Sequence, residues 1–204
     1  MTLRSIILAT AAFASVIPAT VAAPQGIAVY GAIRDKWIQL GGATGPLGPP
    51  LSSEADAVRG GRFNAFRNGY IYWHPRFGAH AVYGLIGQKW NELGRERNFG
   101  YPLTDEQPAP RGGRYTDFEN NATITWQAQA GTHSVYGFIR DAWIKTGREG
   151  GNCKYPIRDE YDFEGGRRTD FQQGFITWRK GARAAVAHCS VPIDPGTALN
   201  PVSG

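Results

Sequence analysis

Apolar and polar positions follow one order along this chain, and that order recurs three times. In the central copy Ile86, Trp90 and Leu93 stand at i, i+4 and i+7, the spacing of one helix face, and Gly94 follows where a left-handed residue ends a helix. Gly41 and Gly147 hold that place in the flanking copies. A stretch with a proline and a glutamate comes next: Pro50 and Glu54, Pro102 and Glu106, Pro156 and Glu160. Proline cannot continue a helix, so an extended crossing is predicted there. After a double glycine come two short runs of strand-forming residues. In the first copy residues 63–66 and 70–73 flank Arg67-Asn68-Gly69, and Asn-Gly is a strong hairpin signal. Gln172-Gln173-Gly174 and Glu119-Asn120-Asn121-Ala122 take its place in the other copies. Each hairpin closes on a tryptophan: Trp73, Trp126 or Trp178.

The spacing defines the architecture. Trp37, Trp90 and Trp143 are 53 residues apart, and Tyr30, Tyr83 and Tyr136 keep the same step. A fixed period of this length marks stacked repeats. The expected fold is an α+β repeat protein of three tandem ~53-residue units (29–81, 82–134 and 135–187) in a single domain, 24–188. Each unit is expected to be a short helix plus a β-hairpin, with the units in an arc or a pseudo-symmetric ring. A unit of this size is marginal alone, whereas three together bury a continuous core. Trp37, Trp90 and Trp143 lie on the apolar helix face and are assigned to that core.

Residues outside the repeats speak to location. Arg4, the apolar run 6–17 and the small residues from Pro18 to Ala23 make residues 1–23 a secretory signal, too short to span a bilayer. The expectation is a secreted protein, extracellular or cell-wall-associated, with no membrane insertion once the signal is removed. The chain of 204 residues carries a net charge of +5, or +4 without Arg4. Its basic residues are dispersed rather than clustered, which argues against a nucleic-acid partner. Its two cysteines, Cys153 and Cys189, are expected to pair in an oxidising compartment and to staple the C-terminal tail, 189–204, to the third unit.

The stretches LGPP, FGYP and CKYP, together with GGRF, the hairpin tryptophan and GAH, resemble the LGFP-repeat family over about residues 29–185. The resemblance implies a secreted or wall-associated protein whose repeats bind cell-wall polysaccharide. Two departures stand out. Lys154 replaces the motif glycine of the third copy, and Arg183 replaces the histidine present as His80 and His133.

The candidate carbohydrate-binding residues are therefore Trp73, His80, Trp126, His133, Trp178 and Arg183. A tryptophan at a half-wet site stacks on a sugar face or plugs a gap to the next unit, and the sequence leaves both open. One glutamate per unit does not make the opposed acid pair of a glycosidase. That glutamate is expected to be a cap or an arginine partner, with Arg62, Arg114 and Arg167 near enough in sequence to be that partner. No enzymatic activity, cofactor or metal is expected. Asn121-Ala122-Thr123 is a glycosylation acceptor only in a eukaryotic host. The expected function is a non-catalytic module with repeated shallow sites, each near millimolar, about −4 kcal/mol, and stronger together. A wall-degrading hydrolase and a secreted protein-interaction or effector module are the rivals. The oligomeric state is left open.

Overall fold

The computed structural model describes residues 26–189, so the expected signal at 1–23 and the tail beyond Cys189 lie outside the described residues. Helices occur where the apolar spacing puts them: α1 (Gly31–Gln39), α2 (Gly84–Glu92), the single turn α3 (Arg95–Asn98) and α4 (Gly137–Lys145). Gly41, Gly94 and Gly147 follow α1, α2 and α4 at φ of 94°, 85° and 95°. A side chain is strained in that left-handed region, which is why glycine ends these helices.

Each unit carries more β-structure than the expected hairpin. The first has a four-stranded antiparallel meander: β1 (Ala55–Asp56), β2 (Arg62–Phe66), β3 (Gly69–His74) and β4 (Gly78–Tyr83). The second repeats it with β5 (Gln107–Ala109), β6 (Gly113–Phe118), β7 (Ala122–Gln127) and β8 (Gly131–Tyr136). The third has β9 (Tyr161–Phe163), β10 (Gly166–Phe171), β11 (Gly174–Arg179) and β12 (Val186–His188). The central hairpins stand as expected, with Phe66 opposite Gly69 and Phe118 opposite Ala122. Two strands were added around them. The residues after the proline loop pair as a short outer strand, Ala55 opposite Phe63. Those after the hairpin tryptophan return as a fourth strand, Tyr72 opposite His80. The result is a mostly β repeat fold with a few helices.

The core repeats with the sequence. Ile33, Ile86 and Ile139 are buried on their helices, facing Ile71, Ile124 and Ile176 of the sheets. Leu47, Phe99 and Cys153 fill one further position, and Phe66, Phe118 and Phe171 another. Each fully buried side chain of this kind contributes roughly 1.5–3 kcal/mol. Trp90 and Trp143 are fully buried, whereas Trp37, on the outermost helix, is half-buried. All three indoles donate to the same carbonyl of the proline loop: Gly48 at 3.0 Å, Gly100 at 3.1 Å and Lys154 at 2.9 Å.

The two faces of a sheet go to different units. Ile71 packs beneath α1, while Tyr72, the next residue of β3, joins the core of the second unit. Its ring meets Trp90 edge-on at 5.0 Å. Val135 of β8 likewise enters the third core. Alternation along a strand thus places α2 and α4 each between two sheets. At the far end Cys153 and Cys189 form a disulfide, with Cα atoms 4.7 Å apart across 36 residues of sequence.

Candidate functional site

Meander register brings an arginine and a tryptophan together in every unit. Arg62 lies opposite Trp73, Arg114 opposite Trp126 and Arg167 opposite Trp178, so each pair shares a sheet face. The recurring order of the chain then adds a carboxylate. Arg62 Nε lies 2.8 Å from Glu54, Arg114 Nε 3.5 Å from Glu106 and Arg167 Nε 2.7 Å from Glu160. The expected glutamate–arginine pairing is present in all three units.

The first amino acids of each helix wall these groups in. In the first unit Gly31, Ala32 and Ile33 close over Glu54, Arg62 and Trp73 around a cavity of about 260 Å³. In the third unit Tyr136, Phe138 and Ile139 face Glu160, Arg167 and Trp178 around about 190 Å³. The second unit has Leu85, Ile86, Glu106, Arg114 and Trp126 at the equivalent positions. All three tryptophans are half-buried, each an apolar plate beside an arginine–glutamate ion pair. The indole of Trp178 donates to Ala182 at 2.9 Å and stacks on Phe138, with centroids 5.8 Å apart. Ala32 stands where Phe138 does, so Trp73 has no such neighbour from its helix.

The electrostatics differ among the copies. Arg62 also binds Asp56, and Arg167 also binds Asp162. Pro108 replaces that second acid in the middle unit, where it lies opposite Arg114. Burial pushes the Glu106 carboxyl above its ordinary range, opposed by the Arg114 guanidinium. Hydrogen bonding to Glu160 leads the effects that hold Arg167 more firmly protonated than usual. No group of three or more His, Cys, Asp or Glu side chains suited to a metal occurs among the described residues.

His80 and His133 belong to a different arrangement. The ring Nε2 of His80 is 2.9 Å from the Phe77 carbonyl and that of His133 is 3.0 Å from the Ala130 carbonyl. Their Nδ1 atoms are buried and face the next unit, 3.5 Å from Asp105 and 3.6 Å from Asp159. Both ring nitrogens are thus turned into the protein, and these histidines sit at the joints between units. Arg183 is exposed in the turn before β12, outside the strand positions of the other two residues. By register Val186, opposite Thr177, occupies the histidine's place in the third unit. Asn121, at φ of 54° in its turn, donates to Gly137 at 3.1 Å and Asp141 at 2.9 Å, and accepts from Arg140.

Two features escaped the sequence reading. The helix-start wall was missed because its residues, Ala32, Leu85 and Phe138, are apolar but differ in size and shape; only their place before the buried isoleucine is constant. The joints were missed because their partners are far apart in sequence. Lys36 reaches Asp105 at 2.6 Å and Lys89 reaches Asp159 at 2.8 Å.

None of the curated proteins matches this sequence. Among solved structures, the extracellular domain assigned to a one component system from B. thetaiotaomicron aligns at 12% identity with a TM-score of 0.20. That alignment covers 73% of this chain and 18% of the other, too weak a likeness to bear on the fold. The LGFP repeat profile matches residues 47–98 and again 99–151, more than half of the chain. The protein belongs to the LGFP-repeat family.

Proposed function

We propose that this protein is a secreted, non-catalytic module that binds polysaccharide of a cell wall or envelope. The observation that carries this reading is the threefold recurrence of one side-chain set, a half-buried tryptophan beside an arginine–glutamate pair, which borders a cavity in the first and third units. An indole face suits the C–H face of a pyranose, and a guanidinium with a carboxylate suits its hydroxyls, one donating and the other accepting. Shallow sites of this kind bind weakly one at a time, and a polymer that engages several gains by effective concentration. In the outer pockets both carboxylates bind the same arginine, and the middle pocket holds one glutamate, which favours binding over acid–base hydrolysis.

In this reading the units form an open arc of three. Ser53 and Pro49 stand in the first unit where Asp105 and Tyr101 make joints, and Ala142 and Val186 stand in the third where Lys36 and His80 do. Among the described residues these joint-forming groups are thus lacking at the two outer faces, as expected of terminal repeats that cap an array rather than close it.

Sedimentation with insoluble cell-wall polysaccharide tests the reading. Arg62→Met, Arg114→Met and Arg167→Met, made singly and together, should lower the bound fraction stepwise when it is measured below each variant's melting temperature and corrected for the folded fraction. Failure of wild type to sediment, or normal sedimentation of a well-folded triple variant, overturns it.

A further inference from the structure

A larger groove lies between the first two units, on the hairpin-turn side, with a volume of about 620 Å³. Phe66, Gly69, Tyr70 and Gly87 form much of its wall, with Arg67 and Gln88 at the edge. The Arg67 and Gln88 side chains make no hydrogen bond or ion pair among the described residues, and both are exposed. Arg95, at the start of α3, lies over the Tyr70 ring at 5.4 Å and has no ion-pair partner among the described residues. No acidic residue lines the groove.

The same place between the second and third units is filled. Arg140 stands where Gly87 does, and it donates to Thr123 at 2.6 Å, to Asn121 at 2.6 Å and to Asp117 at 3.0 Å. Arg148, the counterpart of Arg95, binds Asp117 through both terminal nitrogens at 3.1 Å. Asp117, Glu119 and Asp141 occupy the positions of Ala65, Arg67 and Gln88. At the 2–3 joint Asp117 binds both arginines, while Glu119 pairs with Arg59 and Asp141 accepts from Asn121. At the 1–2 joint the acids are gone, one arginine has become a glycine, another has been added, and a cavity is left. Burial raises the pKa of Asp117 and hydrogen bonds from Arg148 and Thr123 lower it further than that, so its charge persists in the filled joint.

We propose that this groove is a second binding site, separate from the tryptophan pockets, for a saccharide unit bearing an acidic group. Two guanidinium groups without a counter-ion supply charge-assisted donors, the Tyr70 ring supplies an apolar wall, and Gln88 supplies an amide for hydroxyls. The tryptophan pockets differ in that each already neutralises its arginine with a carboxylate. The two kinds of site therefore select different sugars along one polymer or on neighbouring polymers.

Isothermal titration at low ionic strength tests this with three probes: tetragalacturonic acid, poly(glycerol phosphate) and neutral mannotetraose. Wild type should bind at least one acidic probe, more weakly as salt is raised, and the tighter of the two names the acid. The variant Ala65→Asp/Gly87→Arg introduces the groups of the filled joint and should weaken that binding at least about tenfold, or about 1.4 kcal/mol. Arg67→Ala/Arg95→Ala removes the arginine of the groove lining and the one over the Tyr70 ring and should do the same, which keeps the test decisive if the first variant folds poorly. Both variants should still sediment with insoluble wall polysaccharide through their intact tryptophan pockets, and loss of sedimentation in a well-folded variant would contradict the separation of groove and pockets. Absence of acidic-probe binding to wild type, or unchanged affinity in the arginine variant, overturns the proposal.

Discussion

Lys36 of α1 and Asp105 of the following unit meet at 2.6 Å, and the contact anchors a joint that recurs one period later as Lys89 with Asp159. Asp105 spends its second oxygen on the Ala81 N–H of β4, 2.9 Å away, as Asp159 does on Ser134 at 2.9 Å. Tyr101 and Tyr155 add hydroxyl bonds back to the preceding unit, at the carbonyls of Val58 and Pro110. One side chain thus ties a helix, a sheet edge and a histidine of one unit to the loop of the next.

The joint carries a pH signature. Burial raises the pKa of Asp105, but the approach of His80 and hydrogen bonds from Lys36 and the Ala81 N–H outweigh it and hold the carboxyl at about 2, below the ordinary 3.8. A depressed folded-state value means that the unfolded chain takes up the proton first. The contribution is therefore complete above about pH 4 and lost as pH falls to about 2; from the shift it amounts to about 2 kcal/mol. Asp105→Asn should be less stable than wild type by about that much at neutral pH, and the gap should close below about pH 2. Denaturant melts across this range check it, and a gap that persists in acid counts against the ion-pair account. His80→Ala with His133→Ala should also lower stability, and should leave wall binding intact after correction for the folded fraction.

Much of this was legible in the chain, for physical reasons that also explain the rest. Ile86 and Trp90 announce a helix face because burial on a helix follows its turn, and Arg67-Asn68-Gly69 announces a hairpin because the turn demands its residues. The outer strands were not legible. Ala55–Asp56 is too short to show alternation, and Gly78–Tyr83 runs straight into α2, so its end resembles a helix start. The half-exposed place of Trp73, Trp126 and Trp178 was only partly legible, since a tryptophan that closes a hairpin suits either a wet site or a gap between units. The role of His80 was not legible, since it depends on Asp105, a residue 25 positions away that only stacking brings close.

Lys154 keeps a backbone meant for glycine. Its φ is 64°, while Gly48 and Gly100 at the same place have 71° and 93°. A left-handed residue with a side chain costs roughly 1–2 kcal/mol relative to glycine. Lys154→Gly should therefore raise stability by about 1 kcal/mol despite losing an exposed bond from Lys154 to Gly150. A lower melting temperature for this variant would mean that the lysine has a stabilising contact of its own.

The disulfide confines its effect to one end. Closing a loop of 36 residues stabilises by roughly 3–4 kcal/mol through the unfolded chain. Cys189→Ser should lose about that much in the third unit. Hydrogen exchange should quicken in β10 to β12 and stay slow in β2, β3, β6 and β7. Uniform quickening across all three sheets would show instead that the array unfolds as a single cooperative unit.

The central claim is that the hairpin tryptophans bind saccharide while the helix tryptophans hold the core. The six indole N–H resonances of the protein, followed by two-dimensional NMR during titration with solubilised cell-wall polysaccharide, separate the two sets without any substitution. Trp73, Trp126 and Trp178 should shift or broaden as ligand is added, and Trp37, Trp90 and Trp143 should stay in place. Six unmoved signals at saturating polysaccharide, or movement confined to the helix set, would contradict the account.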